Sequence, residues 1–197
     1  AGNFFTVNLR NVRSAFEQVP WVRSAQVRRE YPRTLRVQLQ EHRAVAHWGP
    51  ESGSSMVNSE GEVFESNGVD AELDDLPRLM GPVGTSEQVL AMEQALLPVF
   101  EPLGLELSGL ELSTRGGWRA SFDGDAAIEL GSGTPPEVVQ RTRNFAETLT
   151  RVAAQFGRRA DALESADLRH TGGYALRLRG VSTVAAQGTP RAARTHN

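Results

Sequence analysis

The chain of 197 residues contains no cysteine and no lysine. Without cysteine there are no disulfides, no thiolate metal sites and no cysteine nucleophile. Without lysine there is no P-loop lysine. All 21 basic residues are therefore arginine, a preference that a GC-rich coding sequence explains. No apolar run approaches the roughly 18 residues of a membrane-spanning helix, and no secretory signal opens the chain. An export segment, if the protein has one, is expected upstream of residue 1. Histidine is scarce too. His42, His47, His170 and His196 show no metal-ligand spacing such as H-E-x-x-H, and no G-x-S-x-G elbow is present.

What is present is an ordinary globular composition, with 39% hydrophobic and 23% charged residues. The length suits one larger or two small domains. The net charge of −3 conceals a strong segregation. Residues 1–50 carry eight arginines against three acids, a net +5. Residues 51–137 carry three arginines against seventeen acids, a net −14, and residues 138–197 return to +6. Such blocks mark opposed partners or merely solvated faces, and the basic first block could face anionic lipid head groups.

Leu9, Val12, Phe16 and Val19 recur at helical spacing behind Asn8, a suitable N-cap, and Pro20 stops the helix. Trp21, Val22, Ala25 and Val27 mark a strand. Leu35, Val37 and Leu39 alternate with Arg36, Gln38 and Gln40 in another, with Tyr31-Pro32-Arg33-Thr34 as the turn. A strand over Ala44–Trp48 and a small hairpin (56–58 and 62–64) follow. Residues 66–75 read as acidic and irregular, and 76–84 as loop. Thr85 and Gln88 stand at capping-box spacing before a helix to Phe100, which Pro98 should kink or end.

Strands are expected at 105–112, 118–122 and 127–130, turning at Arg115-Gly116-Gly117 and Asp123-Gly124-Asp125. Thr134-Pro135-Pro136-Glu137 opens the clearest helix. Its stripe is Val138, Thr142, Phe145, Leu149, Val152 and Phe156, and Gly157 is the expected cap. Strands at 162–169 and 174–178 join at Thr171-Gly172-Gly173, and residues 181–197 read as a disordered tail. Gly131-Ser132-Gly133-Thr134 could seat a phosphate on the helix N-terminus, but it lacks the lysine and spacing of a P-loop, and a plain strand-to-helix connection is the better reading. The pairs Asp74-Asp75 and Asp123/Asp125 lie in a loop and a turn, without the shaped pocket that acid–base catalysis needs. The arginines at 23–43 lack a base-stacking module, so nucleic acid is a poor fit.

Several of these segments recur together in one family. Val19-Pro20-Trp21-Val22 with Val27-Arg28-Arg29 and Tyr31-Pro32 resembles the second half of a POTRA domain of the FtsQ/DivIB family. Met56 to Phe64 resembles its next hairpin, and Leu76-Pro77-Arg78-Leu79-Met80-Gly81-Pro82 its L-P-x-L-x-G-P loop. Trp118 to Gly131 and Asp167-Leu168-Arg169-His170 with Gly173 resemble its later motifs, although His170 stands where tyrosine is usual.

The resemblance implies an α+β protein: a truncated POTRA-type helix-plus-hairpin unit (1–43), then a β-rich domain with an antiparallel or mixed sheet packed by helices (44–180). It implies a non-enzymatic, cofactor-free scaffold of the divisome that links early and late division proteins by binding FtsB and FtsL. A single membrane helix upstream would anchor it in the inner membrane, with this region periplasmic and concentrated at the septum. The alternative is a POTRA module of outer-membrane protein assembly or secretion. The partner surface implied is Arg169, His170, Gly172, Gly173, Tyr174, Ala175, Leu176, Arg177 and Leu178, with Arg115 and Arg143 beside it. On the residues alone, Gly172-Gly173 could be only a hairpin turn and Tyr174 only core.

Overall fold

The computed structural model describes residues 7–66, 73–170 and 173–181. The first unit is small. Helix α1 (Leu9–Glu17) starts at Asn8, whose side-chain oxygen accepts the Arg10 backbone N–H at 3.0 Å. Strands β1 (Val22–Glu30) and β2 (Thr34–Glu41) form a separate two-stranded antiparallel sheet. Its register pairs Ala25 with Leu39 and Val27 with Val37, gathering the apolar residues on one face, and α1 packs on β1. Arg28 and Arg36 are also paired, and both are exposed. Among the described residues of this unit, only Val22 and Ala25 are buried.

The remaining strands build a nine-stranded mixed sheet. They are β3 (Ala44–Trp48), β4 (Ser55–Asn58), β5 (Val63–Glu65), β6 (Arg78–Met80), β7 (Leu107–Leu112), β8 (Gly117–Phe122), β9 (Ala127–Ser132), β10 (Leu163–Asp167) and β11 (Ala175–Leu178). Their spatial order is β11-β10-β9-β8-β7-β6-β3-β4-β5. The pairs β3/β4, β4/β5, β7/β8, β8/β9 and β10/β11 are antiparallel, whereas β3/β6, β6/β7 and β9/β10 are parallel. Parallel neighbours need a crossover, and α2 (Ser86–Phe100) and α3 (Pro135–Gln155) supply two of them. The two helices touch each other and lie against the sheet. Val89, Met92, Leu96 and Phe100 of α2 and Val138, Phe145 and Leu149 of α3 meet Leu79, Leu110, Trp118, Ile128 and Leu163 in one core. Phe100 and Phe122 contact edge to face at 4.7 Å.

Three expectations need correction. Residues 76–84 are not simply loop, because β6 sits mid-sheet and Leu79 is 0% exposed. Three residues are too few to show a period, and parallel partners on both sides supply the hydrogen bonds. Thr85 and Gln88 do not form a capping box: the Thr85 hydroxyl donates instead to the Pro82 carbonyl at 2.7 Å. Helix α2 ends at Phe100 as expected, with Pro98 in its last turn, before a 3-10 turn at Glu101–Leu103. The stripe of α3 ends early, because Phe156 is 54% exposed and Ala153 is the last buried residue. The expected α3 start stands, with Thr134 and Glu137 forming a capping box. The expected tail at 181–197 lies outside the described residues except for Val181.

Candidate partner-binding site

Strand β11 is the edge of the large sheet, and among the described residues it pairs only with β10. An edge strand leaves backbone donors and acceptors on its outer side open to a further strand. Alternation sorts its side chains. Tyr174, Leu176 and Leu178 turn toward the core, with Leu178 buried and the Tyr174 ring edge-on to Phe145 of α3 at 5.4 Å. Ala175 and Arg177 are exposed on the opposite face, where Arg177 Nε lies 3.2 Å from Glu164 Oε2. Gly173 is exposed, and Gly172 lies outside the described residues.

Arg169 follows β10, and its position is set by Asp167. One carboxylate oxygen, Oδ1, accepts both the Arg169 backbone N–H at 3.0 Å and Nε at 2.9 Å. The Arg169 side chain, followed by its backbone N–H, holds the Asp167 carboxyl at about 2. Arg169 and Arg177 each already have a carboxylate neighbour within the molecule.

Arg169 lines a cleft of about 570 Å³ that also takes in Arg115, Glu111, Arg119, Glu129 and Arg141. Arg119 donates to Glu129 Oε1 at 2.9 Å across β8 and β9. Arg141 reaches from α3 to the carbonyls of Leu130 and Ser132, capping the end of β9. A glycine makes this possible. Gly131 has φ +82, and a Cβ there would stand 2.8 Å from Arg141 Nη1 and 3.4 Å from Arg169 Cγ. The structure thus brings together Arg115 and Arg169, 54 residues apart in the chain, while His170, next to Arg169 in sequence, is exposed and does not line the cleft. Arg143 is exposed on α3 and does not line this cleft. Glu111, Arg119, Glu129 and Arg141 went unnoticed in the sequence. The period-2 pattern of β7, β8 and β9 could have placed the first three on the face away from the helices.

Other candidates have local partners. The N-terminus of α3, considered above for phosphate, holds the chain's own Glu137, which accepts the Thr134 N–H at 2.8 Å. His42 Nδ1 accepts from Asn58 Nδ2 at 2.9 Å, and His47 Nε2 donates to the Leu73 carbonyl at 2.8 Å. Among the described residues no three metal-type side chains cluster. No described helix is long and apolar enough to cross a membrane.

The family model for the C-terminal part of cell division protein FtsQ/DivIB matches residues 46–169, and that for the FtsQ-type POTRA domain matches residues 1–42. The chain belongs to the FtsQ/DivIB family. It is 37% identical over 182 residues to the cell division protein FtsQ of Thiomonas arsenitoxydans, covering 91% of this chain and 66% of that protein. It is 36% identical to FtsQ of Burkholderia pseudomallei, covering 91% and 70%, and 36% identical to FtsQ of Bordetella pertussis, covering 90% and 68%. The chain thus spans about two thirds of the length of these FtsQ relatives. A role in cell division follows from the family, and the POTRA-type unit and β-rich domain observed here are the two parts its models name.

Proposed function

We propose that the chain is the periplasmic part of a non-enzymatic divisome scaffold, anchored in the inner membrane and concentrated at the septum. It joins early to late division proteins by binding FtsB and FtsL. Its organisation is a POTRA unit over 1–43, a β domain over 44–180 and a tail over 181–197. The binding port is β11, which accepts a partner strand on its outer edge through main-chain hydrogen bonds. Arg169 and Arg115 in the adjoining cleft meet the partner's carboxylates, with His170, Gly172, Gly173, Ala175 and Arg177 along the contact and Arg143 on the outer rim. Tyr174, Leu176 and Leu178 hold the strand to the core.

The single observation that carries this reading is the place of β11 at the end of the strand order. The charge-assisted hydrogen bonds available in the cleft are each about twice as strong as neutral ones, so they set register and specificity. The test is binding of an FtsB periplasmic segment measured by calorimetry. Substituting Arg169 or Tyr174, with the fold intact by circular dichroism, is expected to abolish binding. Unchanged affinity in both variants would sink the assignment.

A further inference from the structure

The N-terminal unit is joined to the large sheet by two residues, His42 and Arg43, between β2 and β3. A second connection runs through space. From β1, Arg23 reaches the turn between β4 and β5. Its Nη1 lies 3.2 Å from Glu60 Oε1 and its Nε 2.9 Å from Glu62 Oε2.

That turn is built to present the two carboxylates. Asn58, only 1% exposed, accepts the backbone N–H groups of Glu60 at 3.0 Å and Glu62 at 2.9 Å. Its amide nitrogen donates to Glu62 Oε2 at 2.7 Å and to His42 Nδ1 at 2.9 Å. His42 stacks on Phe64 with ring centroids 4.5 Å apart and planes 10° apart. From the far side, the Ser86 hydroxyl at the start of α2 donates to the Gly61 carbonyl at 2.6 Å. A Cβ on Gly61 would stand 2.7 Å from Glu87 Cα, so turn and helix are in close contact. The turn is wedged between α2 on one side and Arg23 on the other. A groove of about 490 Å³ remains beside it, lined by Val19, Pro20, Arg23, His42, Glu62 and Phe64.

We propose that the 58–62 turn is an electrostatic latch that sets the angle of the α1–β1–β2 unit on the large sheet, with Arg23 as its bolt. When the bolt is drawn, the His42–Arg43 connection and the His42 contacts still join the two units. The latch is releasable by design of its parts. The Arg23 side chain is 30% exposed, and those of Glu60 and Glu62 are 47% and 48% exposed. An ion pair of that exposure shifts an equilibrium by no more than about five-fold, and salt weakens it. Loss of both pairs is expected to raise the open fraction by about ten-fold. Arg23 acts here as a positioning residue, and the inference is independent of the β11 port.

The test uses the whole chain, which has no native cysteine to interfere with labelling. Spin labels are attached at Gln38→Cys on β2 and Arg151→Cys on α3, both exposed positions. Pulsed electron resonance then reads the distance distribution between the units. A single narrow distribution is expected, broadened by R23E and narrowed again by R23E with E60R and E62R. A width unchanged by R23E overturns the proposal, and so does a triple variant as broad as R23E. Should R23E fail to fold by circular dichroism, the labelled chain without R23E is taken from about 0.05 M to about 1 M salt. Broadening supports the latch, and constant width overturns it.

Discussion

Asp167 and Glu129 stand side by side as register partners on the parallel strands β10 and β9. Two carboxylates so placed repel each other, and Arg169 relieves this by folding back on Asp167. Arg169 thus has an internal task besides the partner contact proposed for it. The Asp167 carboxyl is held at about 2, below its ordinary value of 3.8. Because the folded-state pKa is depressed, the stabilisation is complete above the ordinary value and is lost as pH falls from there through about 2. In a carboxyl-carbon NMR titration of Arg169→Ala, the Asp167 midpoint is expected to move up toward the ordinary value. A midpoint still near 2 would show that the backbone N–H alone suffices. Any binding defect of an Arg169 variant should therefore be read beside this titration, since the substitution disturbs both.

At the scale of elements, the turn between β4 and β5 is the most constrained connection. Gly61 has φ +79 and touches the α2 backbone. Gly61→Ala therefore meets backbone strain and a steric clash together. It is expected to cost about 1–3 kcal/mol in urea unfolding, with no change in the slope against denaturant. A neutral substitution would mean that α2 gives way readily. Elements with long periods or strong punctuation were legible in the sequence. The α3 start, Asn8 as a cap, and the β7–β8–β9 turns all carry their signals within a few residues. Strand β6 carried none, because its status comes from β3 and β7, which lie about 30 residues away on either side. Thr85 misled for a related reason: a hydroxyl with two possible partners chose the Pro82 carbonyl, and spacing cannot tell which wins. The cleft was half legible. Arg115 and Arg169 came by resemblance, whereas Arg141 depends on an approach over Gly131 that only the folded chain reveals.

At the scale of the whole molecule, the two units differ greatly in what they bury. Neither Val22 nor Ala25, the buried residues of the first, belongs to the large core. A two-stranded sheet depends on its one helix for stability, and here the contact buries few side chains. Amide hydrogen exchange is expected to be faster over residues 8–41 than over 105–178, and equal protection across both would contradict this. The charge blocks also find a partial explanation here. The basic first block and the acidic middle meet where Arg23 closes on Glu60 and Glu62, so the segregation serves an internal contact as well as outward faces.

The three-residue β6 has one more consequence. Among the described residues it alone joins the β3–β4–β5 group to the β7–β11 group within the sheet, and its ladder to β3 pairs His47 with Arg78 and Trp48 with Leu79. A pulling force applied between β3 and the outer edge at β11 passes through the strands in series. Its narrowest link is this short seam, so under load the sheet should part there first, leaving the β11 edge and its neighbours paired.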